Sequence, residues 1–155
     1  MCEHCGCRGV QPLAELMDEH LALLELGGGA RRCLAGNDRH GARTALTELA
    51  GLLGTHVRRE EAGVFTALKD QGDFEDEVLA LEREHLDFDA ALAGLDGDGP
   101  GFEQRVEALL ADLSEHIDKE NLGIFPVAVV TLGATGWETV GRAHALTSGG
   151  VVAVG

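Results

Sequence analysis

The sequence predicts an all-α protein: an up-down-up-down four-helix bundle with a short C-terminal helix. Three observations lead there. Apolar residues recur at three- and four-residue steps along four long stretches, each ended by a Gly- or Asp-containing turn. Strand signals are weak, and no βαβ rhythm appears. The chain also repeats itself. HVRREEAGVF at residue 56 returns as HIDKENLGIF at residue 116, and LMDEHL around His20 returns as LEREHL around His85.

Pro12 suits a first helical turn, where its missing N–H costs nothing. Leu13, Leu16, His20, Leu23 and Leu24 then form a helical stripe. Gly27-Gly28-Gly29 weakens that helix by roughly 1 kcal/mol per glycine, which leaves open whether it kinks, ends or continues through ARRCLAG. Gly36-Asn37-Asp38 reads as a turn, with Asn37 or Asp38 capping the next helix. The second stripe is Leu46, Leu49, Leu53, His56, Glu60, Val64 and Leu68, broken by Gln71-Gly72-Asp73. The third carries Val78, Leu81, His85, Phe88, Leu92 and Leu95, and ends in a loop over residues 96–101. The fourth carries Val106, Leu110, Leu113, His116, Glu120, Ile124 and Val127. Trp137, Val140 and His144 suggest a short fifth helix before a Gly/Val-rich tail. The chain thus divides into a Cys-rich segment (1–11), the bundle (12–132) and a C-terminal extension (133–155).

A chain of 155 residues, 45% apolar and 25% charged, fits one globular domain. No apolar run of membrane-spanning length occurs, and MCEHCGCRGV lacks the apolar core of a secretory signal. The expected location is the cytoplasm. With 27 acidic against 12 basic residues, the net charge of −15 disfavours nucleic acid and anionic membranes as partners. Cys2, Cys5 and Cys7 crowd too closely to staple a fold, and in a reducing compartment they are thiols or metal ligands. With His4 they offer a ligand set for zinc, completed by a residue such as His144 or by a second chain; the other reading is a flexible tail. Cys33 reads as a buried small residue, His40 as surface, and Trp137 as packing for the bundle end.

The two repeats carry chemistry at equivalent places. An i, i+4 pair shares one helix face, about 6 Å of rise and 40° apart, so His56 and Glu60 point into one cavity, as do His116 and Glu120. With His20 and His85 they occupy seam positions otherwise filled by Leu, Val and Phe. An isolated carboxylate there would cost several kcal/mol or take up a proton, and cations compensate it most simply. Imidazole suits iron, zinc and copper, and a carboxylate can bridge two metals. Two bridging carboxylates and two imidazoles per metal give four protein ligands each. A solvent-derived bridge leaves one open position, with metals about 3.5–4 Å apart. Glu19, Glu61 and Glu84 adjoin these residues but point about 100° away on a helix, and read as solvated.

The order His…HisxxxGlu…His…HisxxxGlu, with Gly-(Val/Ile)-Phe after each pair and Pro126 after the second, resembles the hemerythrin-like, or HHE cation-binding, proteins over roughly residues 12–132. The first copy has Thr66 where proline is common. The resemblance implies a non-haem di-iron site with two oxo- or hydroxo-bridged iron ions. His20, His56, His85 and His116 would be terminal ligands, with Glu60 and Glu120 as bridges. Oxygen carriers of the family have a further histidine where this chain has Asp89. Asp89 is four residues beyond His85, which makes it a candidate seventh ligand, a partner to a ligand imidazole, or plain surface. Some relatives use a tyrosine, and this chain has none. A site poorer in nitrogen ligands favours reaction with O2, NO or peroxide over reversible O2 carriage. The implied function is a sensor or scavenger of those molecules. The alternatives are a di-iron oxidoreductase acting on peroxide or NO with a redox partner, and an iron donor for iron–sulfur cluster repair.

Overall fold

The computed structural model describes residues 10–95 and 99–148. Pro12 lies in the first turn of α1 (Gln11–Ala35). That helix runs unbroken through the glycine triplet, because packing offsets the glycines' low propensity. Gly27 is buried, and a Cβ there would meet Leu110 Cδ2 at 3.0 Å. The glycine lets α1 lie close against the fourth rod.

Asp38 caps the second rod by accepting a hydrogen bond from the Gly41 amide at 2.8 Å. This rod is α2 (Arg39–Glu60), a π-helical stretch π1 (Glu61–Phe65) and α3 (Thr66–Gln71) in direct succession. Gly72, left-handed at φ +82°, ends it. The third rod is α4 (Glu75–Ala93). The fourth repeats the second: α5 (Phe102–Lys119), π2 (Glu120–Ile124) and α6 (Phe125–Thr131). Last comes α7 (Ala134–Ser148). No strand occurs among the described residues.

The periodicity predicts continuous α-helices in the second and fourth rods, and the two π-helical stretches are a departure from it. A π turn leaves one backbone group to be satisfied differently. Thr66 Oγ1 donates to the Glu61 carbonyl at 2.6 Å. Pro126, at the equivalent junction, has no N–H to place. The two residue types answer one local need in different ways.

α1 packs on α2 and α5, and α4 packs on α5, α2 and α3, so the four rods close a ring. Their core falls into two apolar clusters. One gathers Leu13, Leu16, Phe65, Leu68, Val78 and Phe125; the other gathers Leu23, Leu49, Leu53, Phe88, Leu110 and Leu113. Leu24 of the α1 stripe is exposed, Cys33 is only partly buried, and His40 is exposed. Trp137 packs against the first cluster. α7 lies along π1, α3 and α2. No helix among the described residues is long and apolar enough to cross a membrane.

The contact of α7 on π1 runs through Gly63, where an added Cβ would stand 3.3 Å from Ala143 Cβ and 3.6 Å from Val140 Cα. Gly123, its counterpart in the second repeat, has nothing within 4 Å among the described residues. Gly63→Val is therefore expected to destabilise the protein by about 1–3 kcal/mol through overpacking, whereas Gly123→Ala should be neutral or stabilising by up to about 1 kcal/mol. Thermal melts of both variants check this; equal effects would mean that α7 does not rest on Gly63.

Candidate metal centre

Between the two apolar clusters lies a single polar layer. His20 from α1, His56 and Glu60 from α2, His85 from α4, His116 from α5 and Glu120 from π2 are each at most 3% exposed. The ligand-type atoms form two groups, His20/His56/Glu60/Glu120 and Glu60/His85/His116/Glu120, within each of which all atoms lie within 4.8 Å of one another. Each hairpin thus supplies the two imidazoles of one group, and both groups share both carboxylates.

The inward nitrogen is Nε2 in every case. His56 Nε2 lies 3.0 Å from Glu60 Oε1, and His20 Nε2 lies 3.0 Å from Glu120 Oε1. His116 Nε2 is 3.3 Å from Glu120 Oε1, His85 Nε2 is 3.5 Å from Glu60 Oε1, and the two Nε2 atoms are 3.1 Å apart. Despite these approaches, His20 Nε2, His56 Nε2 and all four carboxylate oxygens are buried without a hydrogen bond. Buried polar atoms without hydrogen bonds carry a desolvation cost, which the neighbouring imidazoles offset only through charge. Atoms this close, converging and unsatisfied, fit a bound cation.

The outward nitrogens are all engaged. His56 Nδ1 donates to Glu19 at 3.0 Å and His116 Nδ1 to Glu84 at 2.9 Å, within each hairpin. His85 Nδ1 reaches Glu61 at 3.3 Å and His20 Nδ1 reaches Asn121 Oδ1 at 2.8 Å, across hairpins. A donor at Nδ1 leaves the lone pair on Nε2, the tautomer a cation needs. Two cations complete the pattern: Arg59 Nη1 holds Glu19 at 3.1 Å and Lys119 Nζ holds Glu84 at 3.0 Å. The phenylalanines of the repeated motif also cross over. Phe65 stacks on His85 and Phe125 on His20, both at 5.6 Å between ring centres.

Burial pulls the His56 imidazole down, but the Glu60 charge and the Glu19 hydrogen bond outweigh it and push its pKa up to about 10. For His116, burial is likewise outweighed, by Glu120 and Glu84, and the result is about 9. His85 is raised against its burial by Glu60. Burial would raise Glu120, yet its contacts with Glu60, His116 and His20 hold it well below the usual carboxylate range. Without a cation, protons on His56 and His116 balance the buried carboxylates.

All six residues that the sequence places at the seam are brought together. Asp89 is not: it is exposed and belongs to neither group. The inward stripe of α4 turns through Phe88, about 60° behind His85, so a residue about 40° ahead of His85 leaves the core. The expectation that Glu19, Glu61 and Glu84 are merely solvated is also corrected by their bonds to the ligand-type imidazoles. A residue 100° off the core axis lies over the neighbouring helix, and a glutamate is long enough to reach its histidine. The signal was in the repeat, since a glutamate precedes both His20 and His85. Asn121 follows Glu120 as Glu61 follows Glu60, and helical spacing alone gives neither its bond to an imidazole. His144 donates through Nδ1 to Glu15 at 3.0 Å on the flank of α1. The proposed zinc ligands Cys2, His4, Cys5 and Cys7 lie outside the described residues.

A helical bundle whose core is divided by one layer of four imidazoles and two carboxylates is of the class that can hold cations. The family model of the hemerythrin HHE cation-binding domain matches residues 11–128. The chain belongs to that family, and α7 lies beyond the matched region. No curated protein and no solved structure matched the chain.

In an unfolded chain His56 and His116 titrate near 6.5. Raised folded values mean stability that is fully present below that pH and is lost as pH rises through about 9 and then about 10. Metal-free protein is expected to show a lower denaturation midpoint near pH 10.5 than near pH 6, with a smaller drop in His56→Gln. A midpoint that did not move would mean the folded imidazoles are neutral.

Proposed function

We propose that the chain is a non-haem di-iron protein that binds O2, NO or peroxide as a sensor or scavenger. The observation that carries this reading is the sharing of Glu60 and Glu120 between two groups that each add two imidazole Nε2 atoms. Carboxylates with two free oxygens are suited to span a pair of metals, and imidazole suits iron. Two ferrous ions would supply electrons and an open coordination position for a small oxidant or NO.

The protein's own part is to bind, orient and exclude water. Glu19, Glu61, Glu84 and Asn121 fix the imidazole tautomers and ring angles. Phe65 and Phe125 hold the His85 and His20 rings from their flat sides. The apolar clusters above and below keep bulk water from the layer. We also read the rods as alternating up and down. The first cluster supports this, because it draws on the starts of α1 and α4 and the ends of the second and fourth rods. The cytoplasm as location, a redox partner rather than nucleic acid, and zinc at Cys2, His4, Cys5 and Cys7 complete the proposal. The acidic balance of the chain is its support for the choice of partner.

Protein purified without chelator is expected to hold two irons per chain, with near-ultraviolet bands that respond to dithionite and then to O2 or NO. Zinc alone would end the redox reading. His56→Ala should lose metal and most of the metal-linked stability, because binding free energy is folding free energy; a variant keeping full metal and melting temperature would refute the ligand set. Glu84→Ala leaves every proposed ligand in place and should weaken metal affinity by about 10–100-fold. Serine at Cys2, Cys5 and Cys7 should spare the spectrum, and its loss would place those thiols at the main site.

A further inference from the structure

The two hairpins carry equivalent ligand-type residues on unequal flanks. In the first, Glu19 and Arg59 sit beneath α7: Arg59 Nε donates to Thr147 Oγ1 at 2.7 Å, and the pair is only 16% and 15% exposed. In the second, the counterparts Glu84 and Lys119 are 28% and 48% exposed. They line a groove of about 570 Å³ between α4 and α5.

A smaller groove, about 440 Å³, occupies the matching place between α1 and α2. It stops at Ala22 and Glu48, and neither Glu19 nor Arg59 lines it. The difference has a cause in the repeat. Aligning His20 with His85 and His56 with His116 sets Leu26 opposite Ala91 and Leu52 opposite Asp112. Leu52 packs against the apolar cluster and does not line the smaller groove, whereas Asp112 lines the larger one. Leu26 lines the smaller groove but fills more of it than Ala91 does of the larger. The two smaller or polar counterparts therefore lengthen the α4–α5 groove toward the polar layer.

At its inner end Glu84 and Phe88 both line the groove and touch His116. Glu84 is bonded to His116 Nδ1 at 2.9 Å, and the Phe88 ring meets the imidazole edge-on at 5.2 Å. Glu84, Asp87, Asp112 and Glu115 outnumber Arg105 and Lys119 along the walls. Such a lining favours cations over anions.

We infer that the α4–α5 groove is the route by which divalent cations enter and leave the His85/His116 half, while α7, Leu26 and Leu52 seal the His20/His56 half. The two halves then exchange metal at different rates. This rests on the metal-binding reading of the layer, and the test separates the two.

Protein loaded anaerobically with ferrous iron is mixed with excess chromogenic ferrous chelator. Iron release is expected in two phases of equal amplitude, their rates differing by about tenfold or more. Ala91→Leu combined with Asp112→Leu places in the groove the residues that the other hairpin already accommodates. It should slow the fast phase by about tenfold or more and leave the slow phase unchanged. A melting curve reports whether the double variant is folded, and Ala91→Leu alone is the smaller change if it is not. Release of both irons at one rate, or a fast phase unaltered in a folded variant, overturns the route. A wild-type chain that takes up no iron refutes the metal reading itself.

Discussion

Two carboxylates with no exposed surface, Glu60 and Glu120, set the terms for the rest of the molecule. Charges taken that far from water are costly unless something of opposite sign faces them at close range. The bundle supplies four imidazoles at 3.0–3.9 Å from the carboxylate oxygens, one from each rod. Protons can balance the layer when metal is absent, as the raised His56 and His116 values indicate. Among the described residues the oxygens and two of the inward nitrogens still lack hydrogen bonds, and the two groups they form could each hold a cation. The apolar clusters on either side make that balance matter, since they keep away the water that would otherwise screen it.

The repeated motif makes sense only across the hairpins. In the assembled bundle each phenylalanine stacks on a histidine of the other hairpin, and the residue after each glutamate bonds a histidine there as well. The π-helical stretches begin at this point in both rods. Each hairpin therefore orients one imidazole of the other, and each group draws a carboxylate from both hairpins. That mutual dependence couples the geometry of the layer to the closing of the whole bundle.

Duplication gives the layer its symmetry, and the flanks break it. α7 rests on Gly63 and covers the Glu19–Arg59 pair, while no described residue stands over Gly123. Leu52 packs against the core where Asp112 lines a groove, and Leu26 narrows its own groove more than Ala91 does. In the proposed reading the less tightly closed side is the one by which a cation would enter. The loss of packing falls on surface positions, away from the residues that meet in the centre.

The sequence by itself determined the all-helical class and the six residues of the polar layer. Both follow from local rules: a 3.6-residue period puts His56 with Glu60 and His116 with Glu120, and the internal repeat pairs His20 with His85. Whatever depended on the distance between rods was left to the tertiary structure. Helical spacing puts Asp89 within 40° of His85 but does not say which way the stripe turns, and contact with the neighbouring rods turned it through Phe88. The same spacing directs Glu19, Glu61 and Glu84 away from the core. Only the placement of adjacent helices shows that this direction ends on an imidazole nitrogen. The glycine triplet looks like a breaker until Leu110 is seen packed against Gly27. Chain-local geometry fixes which face a residue shares, whereas what that face meets is fixed by packing between rods far apart in the chain.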